Sequence, residues 1–128
     1  VETPGPSYGR RLLIEALIVT AADASSQVAW LEKYGVGADE IALDFDHAFG
    51  MAEYLVAAGQ FSPSAMSDLQ EIDAVFEEMS GPDNADRWTL EALSTDAGWS
   101  RVRHLARRVL TTELGDWGLP MPEVCIIR

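Results

Sequence analysis

The stretch WSRVRHLARRVL, Trp99 to Leu110, decides the fold. At about 100° per residue, Trp99, Val102, Leu105, Ala106, Val109 and Leu110 fall in one arc, while Arg101, Arg103, His104, Arg107 and Arg108 fall in the other. A period of two would scatter both sets over two faces, so the segment is an amphipathic α-helix and not a strand.

Working outward, the same period recurs toward the N-terminus. Ser62 supplies a capping residue and Pro63 a first helical position, after which Met66, Leu69, Ile72, Phe76 and Met79 form a stripe that Ser80-Gly81-Pro82 ends. Asp83 or Asn84 opens a shorter helix with Trp88, Leu90 and Leu93, and Thr95, Asp96 or Gly98 leads into the final one. Upstream, a helix starting at Asp39 or Asp44 turns Ile41, Phe45, Phe49, Ala52 and Leu55 inward before Gly59. The first segment starts at Ser7 or Tyr8 and buries Leu12, Leu13, Ala16, Leu17 and Val19. It then continues, or restarts at Asp23, through Val28, Ala29 and Trp30 to Tyr34-Gly35. Beyond Gly115 the period is lost. Trp117, Leu119-Pro120-Met121-Pro122 and Glu123 to Arg128 read as an extended tail lying across the bundle, with an end able to add a short β-strand. The expectation is all-α: one domain over residues 1–128 with five or six amphipathic helices, a flexible leader at 1–6 and a tail at 115–128. No repeat or linker marks a second domain.

Charge is distributed unevenly over this scaffold. The net charge is −12, yet no Lys or Arg occurs between Lys33 and Arg87, a run of 53 residues carrying 12 carboxylates. Gly35 to Gly98 sets 14 carboxylates against one Arg, whereas Trp99 to Leu114 sets four Arg against one Glu. Such a field repels phosphate backbones and anionic lipid headgroups, so direct nucleic-acid or membrane binding is not expected. The apolar run Leu12 to Ala22, interrupted by Glu15, is too short to span a bilayer, and a signal peptide is not expected. The lone Cys125 beside Ile126 and Ile127 reads as a small buried hydrophobe; with no internal disulfide to form, the expected compartment is the cytoplasm.

Three groups of side chains are candidate sites. Asp44, Asp46 and His47 cluster within four residues, and Asp44 and His47 share a helical face, as metal-ligating pairs in bundles do. Such sites need further carboxylates, and the second histidine, His104, sits among arginines, so helix capping is the favoured role and no metal or cofactor is expected. The Arg101 to Arg108 face is expected to dock on the acidic central helices, with Asp73, Glu77 and Glu78 as its partners. No phosphate loop, nucleophile elbow or zinc spacing is present, so no catalytic residue is assigned and an enzyme is not expected.

What remains is the acidic surface itself. Uncompensated carboxylates cost the folded state self-repulsion and in return steer a cationic partner. The leading expectation is an interaction protein that binds and neutralises a basic protein, the physical type of immunity proteins that block toxic nucleases and of inhibitors that imitate the charge of DNA. Its rim would be Asp39, Glu40, Asp68, Glu71, Glu77, Glu78, Asp83 and Asp86, with Tyr54, Phe61, Trp88 and Trp117 as aromatic anchors. The competing expectations are a non-catalytic structural protein, including a homodimer, and a metal- or small-molecule-binding domain using Asp44, Asp46 and His47.

Overall fold

A computed structural model describes residues 6–122. Among them it is all-helical: α1 (Pro6–Ala21), α2 (Ala24–Tyr34), α3 (Asp39–Phe49), α4 (Ala52–Ala57), α5 (Met66–Met79), α6 (Ala92–Thr95) and α7 (Ala97–Leu114), with 3-10 turns at Pro63–Ala65 and Pro82–Trp88. Seven α-helices replace the expected five or six because two long segments are broken. The expected β-prone end, residues 123–128 with Cys125, and the leader, residues 1–5, lie outside the described residues.

The first break separates α1 from α2, between which the chain turns by 118°. The turn strands the last carbonyls of α1, and side chains from elsewhere satisfy them. Arg107 Nε donates to Ala21 O at 2.8 Å and Arg103 Nε to Ala22 O at 3.0 Å, while buried Gln27 donates from Nε2 to Val19 O and Thr20 O. Asp23 does flank α2, but its side chain makes no cap and accepts instead from Arg107 Nη2 at 2.9 Å. The second break falls at Gly50-Met51, which divides the expected Asp39-to-Leu55 stripe between α3 and α4. Neither Asp39 nor Asp44 caps α3: Ala38 holds that place, Asp39 opens the first turn and Asp44 lies mid-helix.

The periodic apolar residues sit where the helical spacing puts them. Trp99, Val102, Leu105, Ala106, Val109 and Leu110 of α7 are all buried, as are Leu69, Ile72, Phe76 and Met79 of α5 and Ile41 and Phe45 of α3. α7 packs along α5 and α1, and α1 also packs on α3 and α4, so α1 is enclosed on several sides. Full burial of each large side chain contributes about 1.5–3 kcal/mol. Asp96 caps α7, accepting from the Gly98 amide at 2.7 Å, and Gly115 ends it with a left-handed φ of 83° that glycine adopts without strain. No single helix among the described residues is long and apolar enough to cross a membrane.

The tail from Asp116 to Pro122 is non-helical and packs Trp117, Leu119 and Met121 partly into the core. Trp30 Nε1 donates to Pro122 O at 2.9 Å, which lays this segment over α2. The stretch around Trp88 differs from expectation. A 3-10 turn, Pro82–Trp88, stands where a short helix was expected; α6 starts only at Ala92, and Leu90 stays exposed.

Candidate functional site: an acidic groove between α3 and α5

Two carboxylate populations emerge once the helices are in place. Asp68 and Glu71, one turn apart on α5, face α7 and pair with Arg108 (Nε to Oδ2, 3.3 Å) and Arg101 respectively. The pairs run in opposite order along the two helices, as antiparallel packing requires. Docking of the arginine face on acidic residues is therefore observed, with partners other than Asp73, Glu77 and Glu78. Asp73 lies about 200° around the helix from Glu71 and cannot face α7 at the same time.

Asp73 and Glu77, four residues apart, turn instead toward α3. With Asp46 they rim a groove of about 360 Å³ lined by Ala42, Leu43, Phe45, Phe76 and Ser80. Phe45 and Phe76, with ring centroids 5.9 Å apart, supply its apolar side and connect it to a buried aromatic cluster in which Phe76 also contacts Trp88 and Trp99. Leu43, 55% exposed, stands at the edge. Partial burial, then Asp46, then Glu77 push the Asp73 carboxyl above its ordinary value. Among the described residues no Lys or Arg pairs with any of the three acids.

The remaining predicted site residues are scattered. Asp39 is exposed at the start of α3, where the helix dipole favours it, and Asp83 and Asp86 are exposed on the 3-10 turn. Glu78 is exposed, 4.0 Å from Arg87 Nη1. Glu40 is 5% exposed and so is no part of a rim, and Asp68 and Glu71 are committed to α7. Of the four aromatic anchors only Tyr54, 53% exposed, is open to a partner. Phe61 is buried because it closes the loop after α4 against the core. Trp88 is half-buried and donates from Nε1 to Met79 O at 2.8 Å. Trp117 is half-buried beneath Arg107, whose guanidinium carbon lies 3.8 Å from the ring centroid.

Asp44, Asp46 and His47 are exposed, and among the described residues no three His, Cys, Asp or Glu side chains come together to hold a metal ion. The surrounding chain pushes the Asp44 carboxyl up and nearby His47 partly offsets this. His104 is exposed on α7. Sequence reasoning missed the joint placement of Asp46, Asp73 and Glu77. The i, i+4 pair of carboxylates on α5 with no cation one turn away was the signal that could have found it. Comparison of the chain with known protein families, with curated proteins and with solved structures gives no match in any of the three.

Proposed function

We propose that this chain is an acidic interaction protein that binds and neutralises a basic protein partner, in the manner of an immunity protein or an inhibitor of a toxin or nuclease, with the α3–α5 face as its docking surface. The observation that carries this reading is the division of charge. Each arginine of α7 is engaged within the fold, by Glu71, by Asp68, by Asp23 and by backbone carbonyls, while Asp46, Asp73 and Glu77 face outward without a cation. Exposed Asp39, Glu78, Asp83 and Asp86 extend the same field and would speed encounter more than they would raise affinity.

The test is retention of basic proteins on the immobilised chain under stepped salt, run beside the variant Glu77→Lys/Glu78→Lys. A protein held by the native chain, released by salt and lost from the variant with slower association supports the reading. Equal retention on both baits removes this face from the interface. A chain that retains nothing and sediments as a dimer favours the structural alternative.

A further inference from the structure

We propose that the groove between α3 and α5 seats one arginine side chain of the basic partner, its aliphatic stem against Leu43 and Phe76 and its guanidinium bridging Asp46 on α3 to Asp73 and Glu77 on α5. This inference rests on the function proposed above and adds the chemistry of the contact.

The lining selects the occupant by what it lacks as well as what it offers. One side is apolar and aromatic, from Ala42, Leu43, Phe45 and Phe76, which suits a hydrocarbon stem or a planar cation and does nothing for a hydrated metal ion. The same two helices add three carboxylates to the lining, which repel anions and ask for a cation with several donors. Ser80 Oγ already donates to Phe76 O at 2.9 Å, so at the groove it is left to accept. Every polar group facing the space is thus an acceptor. Arginine presents five donors in a flat fork that can serve two carboxylates at once and sheds water more readily than an ammonium, so it fits better than lysine. A volume of about 360 Å³ is large enough for one long side chain.

No cation among the described residues lines the groove, so it is open to one from another protein. Among the described residues, Arg10 donates to Gln60 O, Arg11 and Lys33 lie over Tyr8 and Tyr34, Arg87 holds Asp96, and the four arginines of α7 are engaged as described. A described cation of a second copy would first have to leave a contact within its own fold. Partial burial, and after it the neighbouring Asp46 and Glu77, raise the Asp73 carboxyl, and an inserted guanidinium would oppose that shift.

The experiment is an amide-resolved NMR titration of the native chain with capped hexa-arginine and, separately, capped hexa-lysine, at about 150 mM salt so that weak surface attraction is screened. Two variants are titrated in parallel: Asp46→Asn/Asp73→Asn, which empties the rim of two charges, and Asp83→Asn/Asp86→Asn, which removes two charges elsewhere. The expected result is a set of shifts concentrated at residues 42–47 and 73–80. Hexa-arginine should bind more tightly than hexa-lysine, with about a five-fold or greater loss in the first variant and less than about two-fold in the second. Shifts spread over the acidic surface, with equal losses in both variants, would overturn the arginine seat and leave a diffuse basic-partner surface standing. Equal binding of hexa-lysine would overturn the assignment to arginine. No binding of either peptide would overturn both the seat and the function on which it rests.

Discussion

Arg87 and Asp96 are joined by two hydrogen bonds, Nε to Oδ2 at 2.8 Å and Nη2 to Oδ1 at 3.1 Å, while the same Oδ1 accepts the Gly98 amide at 2.7 Å. One carboxylate thus starts α7 and ties the 3-10 turn to it. Its hydrogen bond from Arg87 holds the Asp96 carboxyl below its ordinary value, against the opposing effect of burial. The folded protein therefore releases this proton more readily than the unfolded chain. The stability it contributes is complete above the unfolded value and is lost as pH falls through the folded one. Asp96→Asn should cost about 2 kcal/mol at pH 7 and flatten the acid limb of stability below about pH 4, as urea unfolding across pH would show.

Gly98 stands against this pair with no room to spare. A Cβ there would lie 2.6 Å from Met79 Sδ, 2.9 Å from Arg87 Nη2 and 2.9 Å from Asp96 Oδ1. Gly98→Ala, although it raises helix propensity, should destabilise the protein by about 1–3 kcal/mol in thermal or urea unfolding. A gain in stability would mean that the contact is looser than these distances.

The groove predicts the opposite sign. Burial raises Asp73, and the neighbours Asp46 and Glu77 add to it, so the folded state binds this proton more tightly than the unfolded chain. Stability on this account falls as pH rises through the interval between the two values. Asp73→Asn should therefore stabilise the free protein at pH 7 by about 0.5 kcal/mol, with the gain shrinking as pH drops through the carboxylate range. Paired unfolding curves at pH 7 and pH 4 decide it.

The arginines of α7 should differ sharply in what their removal costs. Arg103 donates to Ala22 O, Gln27 Oε1 and Leu93 O, and burial, reinforced by Arg107, lowers its pKa from the ordinary value. Arg103→Met leaves three acceptors without this donor and should cost about 3 kcal/mol. Arg101→Met breaks only a half-exposed pair with Glu71, whose side chains are 46% and 44% exposed, and should cost less than about 1 kcal/mol. Thermal denaturation of the two variants side by side checks the contrast.

Periodicity made the helices legible, and α7 shows why: burial there depends only on which arc a residue occupies, so Trp99 to Leu110 could be assigned one by one. The breaks were less visible. Nothing local to Gly50-Met51 forces the chain to leave one helix and start another, and the turn at Ala22-Asp23 depends on Arg103 and Arg107 arriving from the far end of the sequence. Trp117 reads as an aromatic anchor in a segment without helical period, yet Arg107 covers its ring. The groove was the least legible part. Total charge was plain in the composition, but whether an acid faces α7 or α3 turns on its angle around α5, and that separates Glu71 from Asp73 although they are two residues apart.

The clasp that closes the end of α1 is made across sequence separations of 81 to 86 residues. On the ribosome α1 emerges some eighty residues before α7, so an apolar helix is exposed before the surface that covers it exists. A nascent chain stalled before Arg103 should accordingly be the form that chaperones hold and proteases cut, and it is the arrival of α7 that makes the molecule safe.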